Sequence, residues 1–203
     1  PIMTAALMAD GKSTIHKVPN LRDTRTMIQL MEIIGAKCSF KNDRLVINAS
    51  TVNNPEAPYE LVKTMRASFY VLGPLLARFG KVRVSLPGGC AWGPRPVDFH
   101  LKALEKLGAK VTLRKGYILA EANKLKGANI SFEFPSVGAT GNIVMAAATA
   151  DGRTVIENAA REPEIVQLCD YINKMGGEKN APGFSEGKSV SYTHLPLPPK
   201  RRV

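Results

Sequence analysis

The chain has 203 residues, 44% of them apolar and 22% charged, and 28 Lys and Arg against 17 Asp and Glu give it a formal charge of +11. That composition belongs to a globular protein with one good-sized core, and no apolar run approaches the ~18 residues that cross a bilayer, so no membrane partner is expected. Cys38, Cys90 and Cys169 are odd in number and far apart, which argues against a disulfide framework or a zinc site and fits a reducing cytoplasm.

Three stretches then carry the same order of signals. In the first, a small-residue apolar helix over residues 5–11 leads to a β-branched strand at Ser13-Thr14-Ile15. The pair Arg22-Asp23 follows, and an amphipathic helix closes at Gly35. A hairpin strand starts at Ala36-Lys37-Cys38 and turns at Asn42-Asp43. In the second, an apolar helix over residues 71–80 precedes the strand Val82-Arg83-Val84, then Arg95 with Asp98, and a helix closing at Gly108. Its hairpin strand starts at Ala109-Lys110-Val111 and turns at Lys115-Gly116. In the third, an apolar helix over residues 143–152 precedes Thr154-Val155-Ile156, then Arg161-Glu162, and a helix closing at Gly176.

The closing helices carry apolar residues four and one before the Gly: Met31 and Ile34, Leu104 and Leu107, Ile172 and Met175. That spacing puts each pair on one buried face, and the Gly suits a left-handed cap. The unit recurs about every 70 residues. The expected fold is α/β with threefold internal pseudo-symmetry, the apolar first helices central and the amphipathic ones peripheral. From about Ala181 the pattern stops, so the domain is placed at residues 1–180 and a non-native or disordered tail at 181–203. Residues 190–195 resemble a translated transposon-end sequencing adaptor.

The repeat also locates an insertion. Gly11 to Gly35 and Gly152 to Gly176 are each 24 residues apart, while Gly80 to Gly108 are 28 apart. The excess falls in Pro87-Gly88-Gly89-Cys90-Ala91-Trp92-Gly93-Pro94-Arg95-Pro96. A loop longer than its scaffold needs is a candidate for function. Cys90 follows two glycines there, and Arg83 and Arg95 as neighbours would favour its thiolate; the competing reading is an inert buried thiol. Arg95, just before a helix start, suits an anion, or else pairs with Asp98. Arg66, at the head of an apolar helix, calls for a ligand or simply faces water. Ser136-Val137-Gly138-Ala139-Thr140-Gly141-Asn142 precedes the third apolar helix and serves as an N-cap or as a phosphate or hydroxyl contact. Cys38 and Cys169 are read as structural. His16 and His100 have no ligand-spaced partner, and there is no Walker loop, dinucleotide fingerprint or serine elbow, so neither a metal nor a cofactor is expected.

Several long strings resemble the UDP-N-acetylglucosamine 1-carboxyvinyltransferase family: Leu61-Val62-Lys63-Thr64-Met65-Arg66-Ala67-Ser68, Leu72-Gly73-Pro74-Leu75-Leu76-Ala77-Arg78-Phe79-Gly80, Ser85 through Cys90, Gly93 through Asp98, and Glu157-Asn158-Ala159-Ala160-Arg161-Glu162-Pro163-Glu164-Ile165-Val166. The resemblance runs from Pro1 to about Asn180. It implies one of two similar domains, each an inside-out α/β barrel of three βαβ-containing units. It implies transfer of the enolpyruvyl group of phosphoenolpyruvate to the 3-hydroxyl of UDP-N-acetylglucosamine, releasing phosphate at the first committed step of peptidoglycan synthesis. Carried over by position, Cys90 matches the proton donor, which also forms an adduct with phosphoenolpyruvate and is alkylated by fosfomycin. Arg95 matches the arginine near the phosphoenolpyruvate phosphate. Arg66, Arg95, Pro96, Val97, Asp98, Phe99, Ser136, Val137 and Gly138 match positions lining the UDP-sugar site.

Three departures accompany the resemblance. The family's Lys-Asn pair lies before the first residue of this chain. The second domain, the chain's expected partner and the source of an Asp base and further arginines, is missing. Trp92 stands where a smaller aliphatic residue is usual. The chain alone is therefore expected to be inactive. The rival enzyme is the shikimate-pathway enolpyruvyl transferase, which does not use the Gly-Gly-Cys cysteine. A basic nucleic-acid-binding module is the rival of another class; the basic residues are dispersed until the last four, so no nucleic-acid partner is expected.

Overall fold

The computed structural model describes residues 1–87 and 97–175, and the backbone of two strands at 183–185 and 188–193. The chain opens with helix α1 (Ile2–Ala5), which tightens into a 3-10 turn at Ala6–Met8, then β1 (Lys12–Ile15), α2 (Arg22–Ile34), β2 (Lys37–Lys41) and β3 (Arg44–Asn48). The second repeat contains β4 (Glu56–Ala57), α3 (Tyr59–Val62), a 3-10 helix (Arg66–Val71) running into α4 (Leu72–Phe79), β5 (Lys81–Ser85), α5 (Asp98–Lys106), β6 (Lys110–Arg114) and β7 (Tyr117–Glu121). The third has β8 (Asn129–Ser131), α6 (Val137–Ala147), β9 (Gly152–Glu157), α7 (Pro163–Lys174), β10 (Gly183–Ser185) and β11 (Lys188–Thr193).

The three sheets share one plan. Their strand orders are β1-β3-β2, β4-β5-β7-β6 and β10-β11-β9-β8. In each, the strand before the amphipathic helix pairs antiparallel with the second strand of the following hairpin. In repeats two and three the short strand that leads into the apolar helices runs parallel to the strand that follows them. Two of the hairpin turns follow from their residues. Asn42 and Asp43 have φ of 48° and 55°, and Lys115 and Gly116 have 50° and 75°. A two-residue type I′ turn needs positive φ at both positions, which Asn, Asp and Gly adopt most readily.

The expected burial of the amphipathic helices is observed. Met31, Ile34, Leu104, Leu107 and Ile172 are buried, with Met175 half-buried. Gly35 ends α2 at φ 106° and its N–H returns to the Glu32 carbonyl, the left-handed cap that the sequence predicts. The apolar helices are central, as expected: every residue of α6 from Ala139 to Ala147 is buried. A helix apolar on all sides has no face to give to water, so it packs inside the ring of other elements. Helices α4 and α6 touch through backbone at Gly73, where an added Cβ would lie 2.2 Å from the Asn142 carbonyl oxygen.

Two boundaries differ from expectation. The first apolar helix ends at Met8 instead of Gly11, and the third spans 137–147 instead of 143–152. Gly11 and Gly152 serve the entry to the next strand, with Gly152 at φ 93° as the first residue of β9. The start of α6 is set by Ser136, whose Oγ accepts from the Ala139 N–H at 3.4 Å. The segment read as a tail supplies β10 and β11, which complete the third sheet. We keep the proposal that the chain is non-native from about Ala181: the adaptor-like string overlaps β11, and a ladder is made by backbone groups that any non-proline residue carries. Native coding sequence through this region at its source would end that proposal.

Candidate functional site

One cavity of about 590 Å³ opens where the N-termini of the 3-10 helix, α5 and α6 converge. Its size is that of a small-molecule site. The sequence places these three starts far apart in the chain, and the fold brings them together at this cavity.

Arg66 begins the 3-10 helix with its side chain exposed at the cavity rim. Val97 caps the start of α5 and lines the cavity. Ser136, Val137 and Gly138 form the opposite wall at the start of α6. Five residues singled out for a nucleotide-sugar site thus meet at one place. Asp98 and Phe99 lie beside it. Asp98 is exposed in the first turn of α5, and Phe99 packs behind Phe134, ring centroids 4.7 Å apart and nearly perpendicular, with Phe134 forming part of the wall. Cys90, Arg95 and Pro96 fall outside the described residues. The residues on either side of that stretch, Pro87 and Val97, both line the cavity.

The cavity also recruits groups outside the set assigned to the site from the sequence. His100, one turn into α5, is buried, and burial first, then the Arg66 guanidinium, push its pKa down to about 3. The ring is therefore neutral at physiological pH. Asn142 is buried on α6, and its Nδ2 lies 3.1 Å from His100 Nδ1. Tyr70 donates to the Val137 carbonyl at 3.1 Å, and burial, more than the nearby Glu164 and Glu162, raises its pKa to about 12. Glu164, at the start of α7, contributes a carboxylate. A buried polar residue opposite a small-residue turn is a signal that could have marked His100 and Asn142. It shows only once the fold is known, since 42 residues separate them.

Elsewhere the candidates resolve as structural. Arg83, considered as a neighbour of the Cys90 thiol, is committed to other partners: its Nη1 donates to Glu56 at 2.5 Å and its guanidinium stacks 3.8 Å over the Tyr117 ring. Burial, reinforced by Glu32, pushes the Cys38 thiol up to about 12; burial, reinforced by Asp170, pushes Cys169 up to about 11. Among the described residues there is no group of three metal-ligating side chains and no helix long and apolar enough to cross a membrane.

A sequence profile described as EPSP synthase (3-phosphoshikimate 1-carboxyvinyltransferase) matches residues 1–184, which carries the family likeness a little past Ala181. The chain is 59% identical over 179 residues to the UDP-N-acetylglucosamine 1-carboxyvinyltransferase of Chlorobaculum parvum, covering 87% of this chain and 42% of that protein. It is 58% identical over 180 residues to the protein of that name from Chloroherpeton thalassium, with the same two coverages. Among solved structures, the enolpyruvyl transferase NikO from Streptomyces tendae superposes with a TM-score of 0.80 at 19% identity, covering 94% of this chain and 44% of that one. EPSP synthase from Acinetobacter baumannii gives 0.69 at 17% identity, again over 94% and 44%. These two likenesses are of fold. The chain spans less than half the length of the curated relatives it matches. By the extent of the sequence match and by its threefold repeat, the chain belongs to the EPSP synthase family of enolpyruvyl transferases.

Proposed function

We propose that the chain supplies one wall of the active site of an enzyme that moves the enolpyruvyl group of phosphoenolpyruvate to the 3-hydroxyl of UDP-N-acetylglucosamine. This is the reaction of a transferase in peptidoglycan and cell-wall synthesis, carried out in the cytoplasm. The observation that carries the reading is the convergence of Arg66, Val97 and the Ser136-Val137-Gly138 turn on one cavity, in a chain whose 58–59% identical relatives bear that enzyme's name. The shikimate-pathway reading has weaker support, since EPSP synthase matches at 17% identity.

The chemistry suits the residues. Both substrates are anions, and the guanidinium groups of Arg66 and Arg95 carry positive charge and forked donors of the kind that suit them. The start of α6 offers backbone N–H groups, and the Ser136 hydroxyl stands beside them. In the addition step the sugar oxygen bonds to C2 of phosphoenolpyruvate and gives its proton to a base from the second domain. The Cys90 thiol gives its proton to C3 and becomes a thiolate. In the elimination step C3 returns a proton to the Cys90 thiolate and the C2–O bond to phosphate breaks; the leaving phosphate takes the proton held by the base, and the enol ether remains. The positive groups act on the phosphate throughout. Cys90, Arg95, Pro96, Asp98 and Phe99 complete the set of residues assigned to the site.

The test is alkylation by fosfomycin of a full-length protein, this chain joined to the second half its relatives possess. We expect one adduct, at Cys90. Cys38 and Cys169 are expected to stay unmodified up to about pH 9, because a thiol titrating near 11 or 12 has almost no thiolate there. Peptide mass mapping reads the result. Modification at Cys38 or Cys169 with Cys90 untouched would remove the basis for the proposal.

A further inference from the structure

The cavity wall contains a hydrogen-bond chain that decides which nitrogen of a buried histidine carries the proton. Asn142 is fully buried on α6, and its Oδ1 accepts from the Gly73 backbone N–H on α4 at 2.8 Å. A peptide N–H only donates, so the carbonyl end of the amide faces α4. The Nδ2 end donates to the Phe69 carbonyl at 3.2 Å, and a carbonyl only accepts. Two independent partners therefore fix the amide in one orientation. In that orientation Nδ2, which can only donate, sits 3.1 Å from His100 Nδ1. Nδ1 must accept, and the proton of the neutral ring lies on Nε2.

The ring plane is also held. Phe69 meets the imidazole edge to face, centroids 4.9 Å apart at 88°. Nε2 lies on the side of Gly138: a Cβ built there would come within 3.4 Å of Nε2 and 3.3 Å of Cε1. His100 and Gly138 both line the cavity.

We propose that Asn142 is a positioning residue that holds His100 in its Nε2–H form, so that the cavity presents an uncharged hydrogen-bond donor beside Gly138 to an oxygen of the bound ligand. A neutral donor suits a hydroxyl or carbonyl oxygen, and Arg66 supplies charge separately. The identification of that ligand as UDP-N-acetylglucosamine rests on the function proposed above; the tautomer does not. Among the described residues, the charged side chains sharing the cavity with the ring are Arg66 on the 3-10 helix and Glu164 on α7.

The experiment is nitrogen-15 NMR of the full-length protein labelled at histidine, with the His100 signals assigned by their loss in His100→Gln. The wild type is expected to show protonated Nε2 and bare Nδ1 across neutral pH. In Asn142→Asp both side-chain oxygens only accept, so Nδ1 takes a proton and the ring titrates at a higher pH. Above that midpoint the variant ring has Nδ1–H and no Nε2 donor, and the affinity for UDP-N-acetylglucosamine falls about tenfold or more. Below it the imidazolium regains Nε2–H and affinity recovers. A residue that merely supported the fold would lower affinity equally at every pH. A wild-type ring protonated at Nδ1, or an unchanged tautomer in the variant, overturns the proposal; if the variant does not fold, the wild-type spectrum decides alone. Should the spectra behave as expected while neither protein binds UDP-N-acetylglucosamine, the assigned ligand is overturned and the positioning role stands.

Discussion

Cys90→Ser in the full-length enzyme is expected to lower kcat by about 10²–10⁴-fold, the usual contribution of a positioned general acid. Serine keeps the shape of the side chain to within the size of one atom but is a far weaker acid, so the step that delivers a proton to C3 loses its donor. The KM for UDP-N-acetylglucosamine is expected to change little, because the cavity wall made by Arg66 and the Ser136-Val137-Gly138 turn is untouched. A loss confined to kcat marks an interaction made only in the transition state. Initial rates of phosphate release, with each substrate varied in turn, measure both quantities. Full turnover by the serine variant would show that the reaction does not use this thiol. Pro87 and Val97, the described residues on either side of the stretch that contains Cys90, both line the cavity.

The largest expected effect on stability is that of Gly73→Ala. The added Cβ would sit 2.2 Å from the Asn142 carbonyl oxygen and 3.0 Å from its carbon. Both partners are helix backbone, so neither can rotate out of the way and α4 must move off α6. Overpacking of this kind costs about 1–3 kcal/mol, and loss of the Gly73 N–H to Asn142 bond adds about 1 kcal/mol. The better helix propensity of alanine returns about 1 kcal/mol. The net loss is about 1–3 kcal/mol, read as a lower denaturant midpoint with unchanged slope. A variant as stable as the wild type would mean that the two helices are not in backbone contact there.

Much of the architecture was legible because it is repeated. A single Gly after a helix is a weak marker, but three of them at one spacing, each with apolar residues four and one before, fix the amphipathic helices and their buried faces. The turns at Asn42-Asp43 and Lys115-Gly116 were legible because few residue pairs accept positive φ twice. The apolar helices were misplaced at their ends because a helix buried on every side has no periodicity to bound it; only the Ser136 cap marks where α6 begins. The short strands β4 and β8 went unread because two or three residues carry no alternation. Arg66 and the Ser136-Val137-Gly138 turn were picked out at helix starts and Val97 through the family resemblance, and all five line the cavity. His100 was weighed only as a metal ligand and Asn142 only as the end of the small-residue string before the third helix, because their pairing shows only when the fold brings Gly73, Asn142 and His100 into line.

The most direct test of the account is the choice of acceptor. Phosphate released from phosphoenolpyruvate by the full-length enzyme is measured with UDP-N-acetylglucosamine and, separately, with shikimate 3-phosphate. Sustained release with the nucleotide sugar and none with shikimate 3-phosphate is the predicted result; turnover with shikimate 3-phosphate alone would contradict the account.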